Sequence, residues 1–362
     1  MAQSLDKNKV VIAISGGVDS AAAADLLCKA GMEVIGVYFC LQNSQAGKPH
    51  ARACCSPADA ADAGKIASKL GIDFSVLDVN EDFEKIKEHF ALSYAEGRTP
   101  NPCILCNQNV KFRRLLEFAD SVGAFFVATG HYARITEDKG EKCLYRAKAF
   151  AKDQSYVLFS LNRSIFERII FPLGDIDEKN SVRKIARDAN LSVYDKPESQ
   201  EICFAPQGDY HSVLQGRADR ALLSGPIFDT SGKKIGTHDG YGLFTIGQRK
   251  GIKIAAAQPL YVREIDPVQS SITVGPRQEL MSKGLHATNA NWLCDAQDSF
   301  HCDIQIRYNN RGAGGEVRRT GSESFEVLFD EPAFAVTPGQ AAVLYDKQKV
   351  LGGGWITDAV KA

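Results

Sequence analysis

The chain has 362 residues, of which 44% are hydrophobic and 24% charged, and its formal net charge is −1. That length exceeds what one hydrophobic core usually supports, so two or three domains are expected; the near-neutral balance argues against indiscriminate nucleic-acid binding and leaves room for a localised basic groove. No apolar run is long enough to span a bilayer, the first residues lack the apolar core of a secretory signal, and the ten irregularly spaced cysteines do not read as a disulfide scaffold, so a cytoplasmic protein with no membrane or DNA partner is expected.

Residues 10–14, Val-Val-Ile-Ala-Ile, form the kind of apolar run that is buried in a parallel sheet. The run breaks into Ser15, Gly16, Gly17, Val18, Asp19 and Ser20, and an Ala/Leu-rich helical pattern follows. Two glycines let the backbone turn tightly, and unpaired N–H groups at the start of the helix attract anions, so the segment reads as a pyrophosphate-binding loop. It is not a Walker A loop, because no Lys-Ser or Lys-Thr pair follows the glycines. An ordinary capped strand-to-helix turn is the alternative. Further strands are expected over residues 33–39, 74–79 and 125–129. Between them Ala63, Ile66, Ala67 and Leu70, and then Phe112, Leu115, Leu116 and Ala119, fall at helical spacing, with Gly71 placed to stop the first helix. The alternation predicts an α/β domain with a doubly wound parallel sheet, which binds ligands beyond the carboxyl ends of its strands.

Residues 97–112 place Cys103 and Cys106 in a proline-stiffened loop directly before a helix, a position where the helix dipole favours thiolate; Cys106 is therefore a candidate nucleophile. Cys203 follows Glu201-Ile202 in an apolar, strand-like context. A Cys-x-x-Cys spacing also suits a redox pair or half a zinc site, and most lone cysteines pack passively; the adjacent Cys54 and Cys55 are expected to pack passively or fall in a mobile loop. After Cys203 the texture changes to short apolar stretches between Gly, Pro and Asp, as in residues 225–236 and 259–265, which reads as a small β-rich domain. Residues 303–308, 325–329 and 341–345 alternate or run apolar between turns, suggesting a β-barrel or sandwich. The expected boundaries are 1–205, 206–279 and 280–362. Arg307, Arg311, Arg318 and Arg319, interleaved with Tyr308 and glycines, are either an RNA-binding patch or the scattered charge of a solvated hairpin.

The Ser-Gly-Gly-x-Asp-Ser loop resembles that of the N-type ATP pyrophosphatases. Together with both cysteine segments, the whole chain resembles the bacterial tRNA-uridine 2-sulfurtransferases, the MnmA (TrmU) family. The matches extend through Ala128-Thr-Gly-His-Tyr-Ala-Arg134, Lys152-Asp-Gln-Ser-Tyr156, Phe171-Pro-Leu-Gly174, Phe244-Thr-Ile-Gly-Gln-Arg-Lys-Gly251, Pro338-Gly-Gln340 and Leu351-Gly-Gly-Gly354. The resemblance implies that ATP adenylates O2 of the wobble uridine of certain tRNAs and that a cysteine-borne sulfur then displaces AMP at C2.

By matching position, the resemblance implies that Ala13, Ile14, Ser15, Gly16, Gly17, Val18, Asp19, Ser20, Phe39 and Gly130 hold ATP. It gives the persulfide to Cys203, the partner nucleophile to Cys106 and a role beside the activated base to His131. Asp19 would orient Mg2+-bound phosphate or water, unless it is only a helix-start carboxylate. Asn101, Pro102, Cys103, Lys152, Asp153, Gln154, Arg307, Tyr308 and Gln340 would meet the target nucleotide or the anticodon stem-loop. The implied partners are tRNA and a sulfur-donor protein, either a cysteine desulfurase or a relay carrier. Many family members have Asp where this chain has Cys103, which opens a secondary alternative: an iron–sulfur cluster, or zinc with a fourth ligand, at Cys103, Cys106 and Cys203. Rival functions are an amidotransferase-type synthetase, a sulfurtransferase for another tRNA position, and a non-catalytic RNA-binding or sulfur-carrier protein.

Overall fold

The computed structural model describes residues 5–41, 57–177, 179–197, 202–205, 209–295, 297–309 and 312–361; Cys54, Cys55 and Arg311 lie outside these. The chain divides into two compact units. The first comprises Met1–Lys85, Cys103–Gln207 and Gln348–Val350; the second comprises Ile86–Pro102, Gly208–Lys347 and Leu351–Ala362.

In chain order, the helices and the strands of the first unit's sheet begin with β1 (Asp6–Ala13), α1 (Val18–Lys29), β2 (Glu33–Cys40), α2 (Pro57–Leu70) and β3 (Asp73–Asp78). They continue with α3 (Asn80–Ala95), α4 (Pro102–Cys106), α5 (Phe112–Ser121) and β4 (Ala124–Ala128), followed by a hairpin of β5 (Ala133–Asp138) and β6 (Glu141–Arg146), then β7 (Ile169–Ile170) and α6 (Lys179–Asp188). The five-stranded sheet runs β3-β2-β1-β4-β7 with every pairing parallel. All four predicted strands are present, β1 ending at Ala13 and Ile14 entering the loop. The sheet is the expected doubly wound type: β1 lies at its centre, paired on one side through Val10↔Val34 and on the other through Val11↔Val127.

Val10, Ile12 and Ile14 pack with Ala21, Ala22, Ala23 and Ala24 of α1 in one core, each of them 0–1% exposed. Four consecutive alanines give α1 no bulky side chain to hold it off the sheet, so its first turn lies close above the strand ends. Gly71 stops α2 in the left-handed region at φ +67°. The β5–β6 hairpin, which falls in the chain between β4 and β7, is antiparallel and not part of this sheet, and Lys349 pairs with Tyr145 of β6.

The second unit contains α7 (Tyr210–Leu214) and β8 (Gly225–Phe228), β9 (Lys234–His238), β10 (Tyr261–Asp266) and β11 (Ser271–Gly275), which form a sheet in the order β10-β11-β8-β9. Six further strands follow: β12 (Met281–Trp292), β13 (Ser299–Gln305), β14 (Ala313–Gly321), β15 (Ser324–Phe334), β16 (Ala341–Asp346) and β17 (Lys349–Lys361). They run β12-β15-β14-β13-β16-β17, and pairing of β12 with β17 closes the ring. Leu285, Ile304, Val317, Phe325, Val327, Leu344 and Ile356 fill the barrel. The alternation read at residues 325–329 is the inward and outward period of β15, whose Phe325, Val327 and Phe329 are buried while Leu328 is 60% exposed.

Candidate functional site

The loop between β1 and α1 is shaped by its own hydroxyls and glycines. Ser20 Oγ donates to the Gly17 carbonyl at 3.1 Å and accepts from the Ser15 N–H at 3.1 Å, with the Ser15 hydroxyl 3.2 Å away. Gly16 is held at φ +76°, and a Cβ there would stand 2.6 Å from the carbonyl oxygen of Asp59. Gly130, just past β4, presses on the other flank: a Cβ there would lie 2.9 Å from the Ser20 nitrogen. Gly17 caps α1 without a side-chain hydrogen bond, and the Ala21 N–H donates to the Gly17 carbonyl. The helix therefore starts from a glycine-lined cradle at the carboxyl edge of the sheet, the kind of place where helices attract anions. Phe39 stands half-buried near the end of β2.

A chain of hydrogen bonds ties the end of β4 to this cradle. The Tyr132 hydroxyl donates to Asp19 Oδ1 at 2.7 Å, and the Tyr132 N–H donates to Gln154 Oε1 at 2.9 Å. Asp153 is an architectural carboxylate, paired with Arg146 at 2.8 Å with both side chains 5% exposed, and it accepts further bonds from the Ala147 and Ser155 N–H groups. Lys152 precedes it, half-buried, in a short 3-10 turn. His131 Nδ1 lies 2.7 Å from Thr129 Oγ1, and the imidazole ring forms a triangle with the rings of Phe112 and Phe171, each pair of centroids 6.1 Å apart. Desolvation there, reinforced by the Lys111 ammonium, pushes its pKa down to about 3. His131 is therefore a neutral imidazole at physiological pH, able to give or take a hydrogen bond but carrying no acidic proton.

The cysteines differ from expectation. Cys103 and Cys106 do not precede a helix; both lie on α4, which opens at Pro102 and runs through a π-turn, Asn107–Lys111, into α5. A proline is preorganised for the first helical position, so the helix starts at Pro102, ahead of both cysteines. Cys103 is exposed in the first turn, whereas Cys106 is buried as a thiol, and burial pushes its pKa up to about 11 in spite of Lys111. Dipole activation of Cys106 is thus not operating in this conformation. Cys203 sits half-buried in a turn, not a strand: the Ala205 N–H donates to the Ile202 carbonyl, and the Phe204 ring packs edge-on to Phe83. Among the described residues no three His, Cys, Asp or Glu side chains converge as a metal site, so the set needed for an iron–sulfur or zinc centre at Cys103, Cys106 and Cys203 is not assembled.

In the second unit, Gln340 Nε2 donates to the Thr99 carbonyl at 3.0 Å and the Thr99 N–H donates to the Pro338 carbonyl at 2.9 Å. This clamp fixes the strap that enters Asn101 and Pro102, half-buried and buried respectively. Gly339, at φ +88°, leaves room for it, since a Cβ would meet the Thr99 backbone at 3.0 Å. Arg307 turns inward and donates through Nη2 to the carbonyls of Ile246 and Ala335 and to Thr337 Oγ1, at 2.8, 2.9 and 2.8 Å. Tyr308 beside it is 43% exposed. Gln305, which the sequence did not single out, orders this turn by donating to the carbonyls of Arg307 and Tyr308. Arg318 pairs with Glu326 while Arg319 stacks over Trp292, so these arginines are engaged separately.

A second missed residue is Lys196. Its ammonium donates to the Gly16 carbonyl at 3.0 Å, to Asp59 Oδ1 at 2.7 Å and to Asp62 Oδ2 at 3.0 Å. Desolvation lowers its pKa, but the two carboxylates outweigh that and hold it above its ordinary value. Nothing local in the sequence marks this lysine; only the fold brings it to the loop.

A parallel sheet with a glycine-lined loop at the carboxyl edge of its central strand, followed by two β-rich modules, defines a HUP-type α/β protein with appended barrels. The family descriptions agree: "tRNA methyl transferase HUP domain" matches residues 8–207, "tRNA methyl transferase PRC-barrel domain" residues 212–276 and "Aminomethyltransferase beta-barrel domain" residues 282–356. The tRNA-specific 2-thiouridylase MnmA of Rhodopirellula baltica is 42% identical over 98% of this chain and 97% of its own. Those of Carboxydothermus hydrogenoformans and Syntrophotalea carbinolica are 42% and 43% identical, each over 97% of this chain and over 98% and 99% of their own. The chain belongs to the tRNA-specific 2-thiouridylase (MnmA) family, a family of tRNA-sulfurtransferase enzymes. A solved NMN synthetase from Francisella tularensis covers 59% of this chain and 71% of its own at 17% identity and TM-score 0.33, too distant a likeness to add to that assignment. No helix among the described residues is long and apolar enough to cross a membrane.

Proposed function

We propose that the protein converts the wobble uridine (position 34) of tRNA to 2-thiouridine, using ATP to activate O2 and a cysteine persulfide as the sulfur source. The observation that carries this reading is the Ser15-to-Ser20 cradle in a chain whose full-length relatives are named 2-thiouridylases. Residues 13–20, Phe39 and Gly130 hold the nucleotide, and Asp19, oriented by Tyr132, is the carboxylate suited to a Mg2+ ion on the phosphates. The uridine O2 attacks the α-phosphorus and pyrophosphate leaves.

The terminal sulfur of a persulfide on Cys203 then attacks C2 and AMP departs. Cys106 attacks the Cys203 sulfur, which breaks the S–S bond, releases the base as 2-thiouridine and leaves a Cys106–Cys203 disulfide for an external thiol to reduce. Because Cys106 is a buried thiol with its pKa near 11, this step requires α4 to expose it once substrate is bound. Neutral His131 supplies a hydrogen bond beside the activated base. Asn101, Pro102 and Cys103, with Lys152 to Gln154, border the target nucleotide, while Tyr308 stacks on an unpaired base of the anticodon loop. The sulfur comes from a donor protein, a cysteine desulfurase or a relay carrier. Residues 1–205, 206–279 and 280–362 serve as catalytic, linking and tRNA-contacting parts.

The purified protein, with ATP, a persulfide donor and unmodified tRNA, should form AMP and 2-thiouridine at position 34, read by nucleoside mass spectrometry. AMP without tRNA-borne sulfur, or sulfur at another position, overturns the reading.

A further inference from the structure

We infer that Lys196 is a positioning residue for the nucleotide loop: held by Asp59 and Asp62, it fixes the Gly16 carbonyl and thereby sets the direction of the Gly17 N–H toward bound pyrophosphate. The inference rests on the reading of this loop as the ATP site. In a trans peptide the C=O and the following N–H point in opposite directions, so anchoring one end of the Gly16–Gly17 unit orients the other. Lys196 Nζ makes that anchor at 3.0 Å. Without it the unit would swing easily, because both flanking residues are glycine and Gly16 is at φ +76°.

The charges decide between orienting and attracting. One ammonium faces two carboxylates, at 2.7 and 3.0 Å, and Lys65 reaches the same Asp62 at 3.3 Å from an exposed position. The Lys196 charge is thus already neutralised beside the anion site, and its contribution is direction. Asp59 serves twice, since its backbone carbonyl is also the wall that Gly16 packs against. Lys196 lies seven residues before Cys203, so the same segment of chain that leads to the sulfur-bearing cysteine steadies the phosphate loop.

The test measures equilibrium Mg·ATP binding and the apo melting temperature of the full chain, wild type against Lys196→Met, Lys196→Arg and Asp62→Asn, together with the KM for tRNA. The inference expects Kd for ATP to rise about tenfold in Lys196→Met, the loss of one oriented hydrogen bond to a charged ligand. It expects partial rescue in Lys196→Arg, a smaller rise in Asp62→Asn because the ammonium is less well held, and an unchanged KM for tRNA. Tighter ATP binding in Asp62→Asn would mean that Lys196 acts as a bare charge and would overturn the inference, as would an unchanged Kd in Lys196→Met. A wild-type chain that binds no ATP would instead sink the reading of the loop itself.

Discussion

The state of Cys106 is open to a direct chemical test. With its pKa near 11 against the ordinary 9.0, its thiolate fraction at pH 7.5 is on the order of 0.03%, against roughly 3% for an ordinary thiol, a difference of about a hundredfold in the amount of reactive thiolate. Burial reduces access as well, which opposes the greater intrinsic reactivity of a high-pKa thiolate. The assay is timed iodoacetamide alkylation of the native chain with each cysteine followed as its peptide by mass spectrometry. In the absence of ligands Cys106 should react about a hundredfold more slowly than a free model thiol, and its rate should climb about tenfold per pH unit toward 11. The sign of the linked stability is fixed as well: an acid whose pKa is raised on folding keeps its contribution below about 9 and loses it as pH rises toward 11, so circular dichroism must accompany the upper part of the profile. Addition of ATP and an anticodon stem-loop should accelerate labelling. A ligand-free rate that levels off near pH 8 would refute the buried-thiol account and restore dipole activation.

Three other outcomes follow from the geometry. Gly130→Ala forces a Cβ against the Ser20 backbone at 2.9 Å and should weaken ATP binding roughly tenfold while leaving tRNA affinity alone, checked by isothermal titration; unaltered ATP binding would separate Gly130 from the cradle. Asp153→Asn breaks a buried ion pair and should cost about 3 kcal/mol, lowering the melting temperature of the first unit by about 10 °C in calorimetry, far more than a surface pair would. Arg307→Ala and Tyr308→Ala should part company: the arginine change lowers the melting temperature by removing three internal hydrogen bonds, whereas the tyrosine change leaves it in place and raises Kd for the stem-loop about tenfold. A reversal of that pattern in filter binding and calorimetry would move the RNA contact to Arg307.

The parallel strands were legible because β1 and its neighbours are continuous β-branched and aromatic runs, and α5 because Phe112, Leu115 and Ala119 repeat at helical spacing and are all buried. The β5–β6 hairpin was overlooked although Lys139 and Gly140, both at positive φ, form the two-residue turn that such hairpins favour. The cysteine context failed for a local reason, since Pro102 looked like loop stiffening and is in fact the first residue of a helix. Asp59, Asp62 and Lys196 failed for a distant one: their meeting depends on packing across 134 to 137 residues, which no window of sequence contains. Tyr132 sat inside a motif that was noticed for its histidine, yet the phenol touches Asp19.

The wide turn over Asn107–Lys111 has a consequence for where sulfur can stand. A π-turn accommodates one residue more than regular winding does, so the rows of inward-facing side chains before and after it are out of step. Ile104, Cys106, Asn107 and Val110 all lie buried ahead of Phe112 and Leu115, and Asn107 anchors the offset by donating to the Val157 carbonyl while its own Oδ1 has no hydrogen-bond partner. Relaxing the turn by a single residue would rotate everything upstream by about 100°. Such a rotation would turn Cys106 away from the buried row while the helix that carries it stays wound.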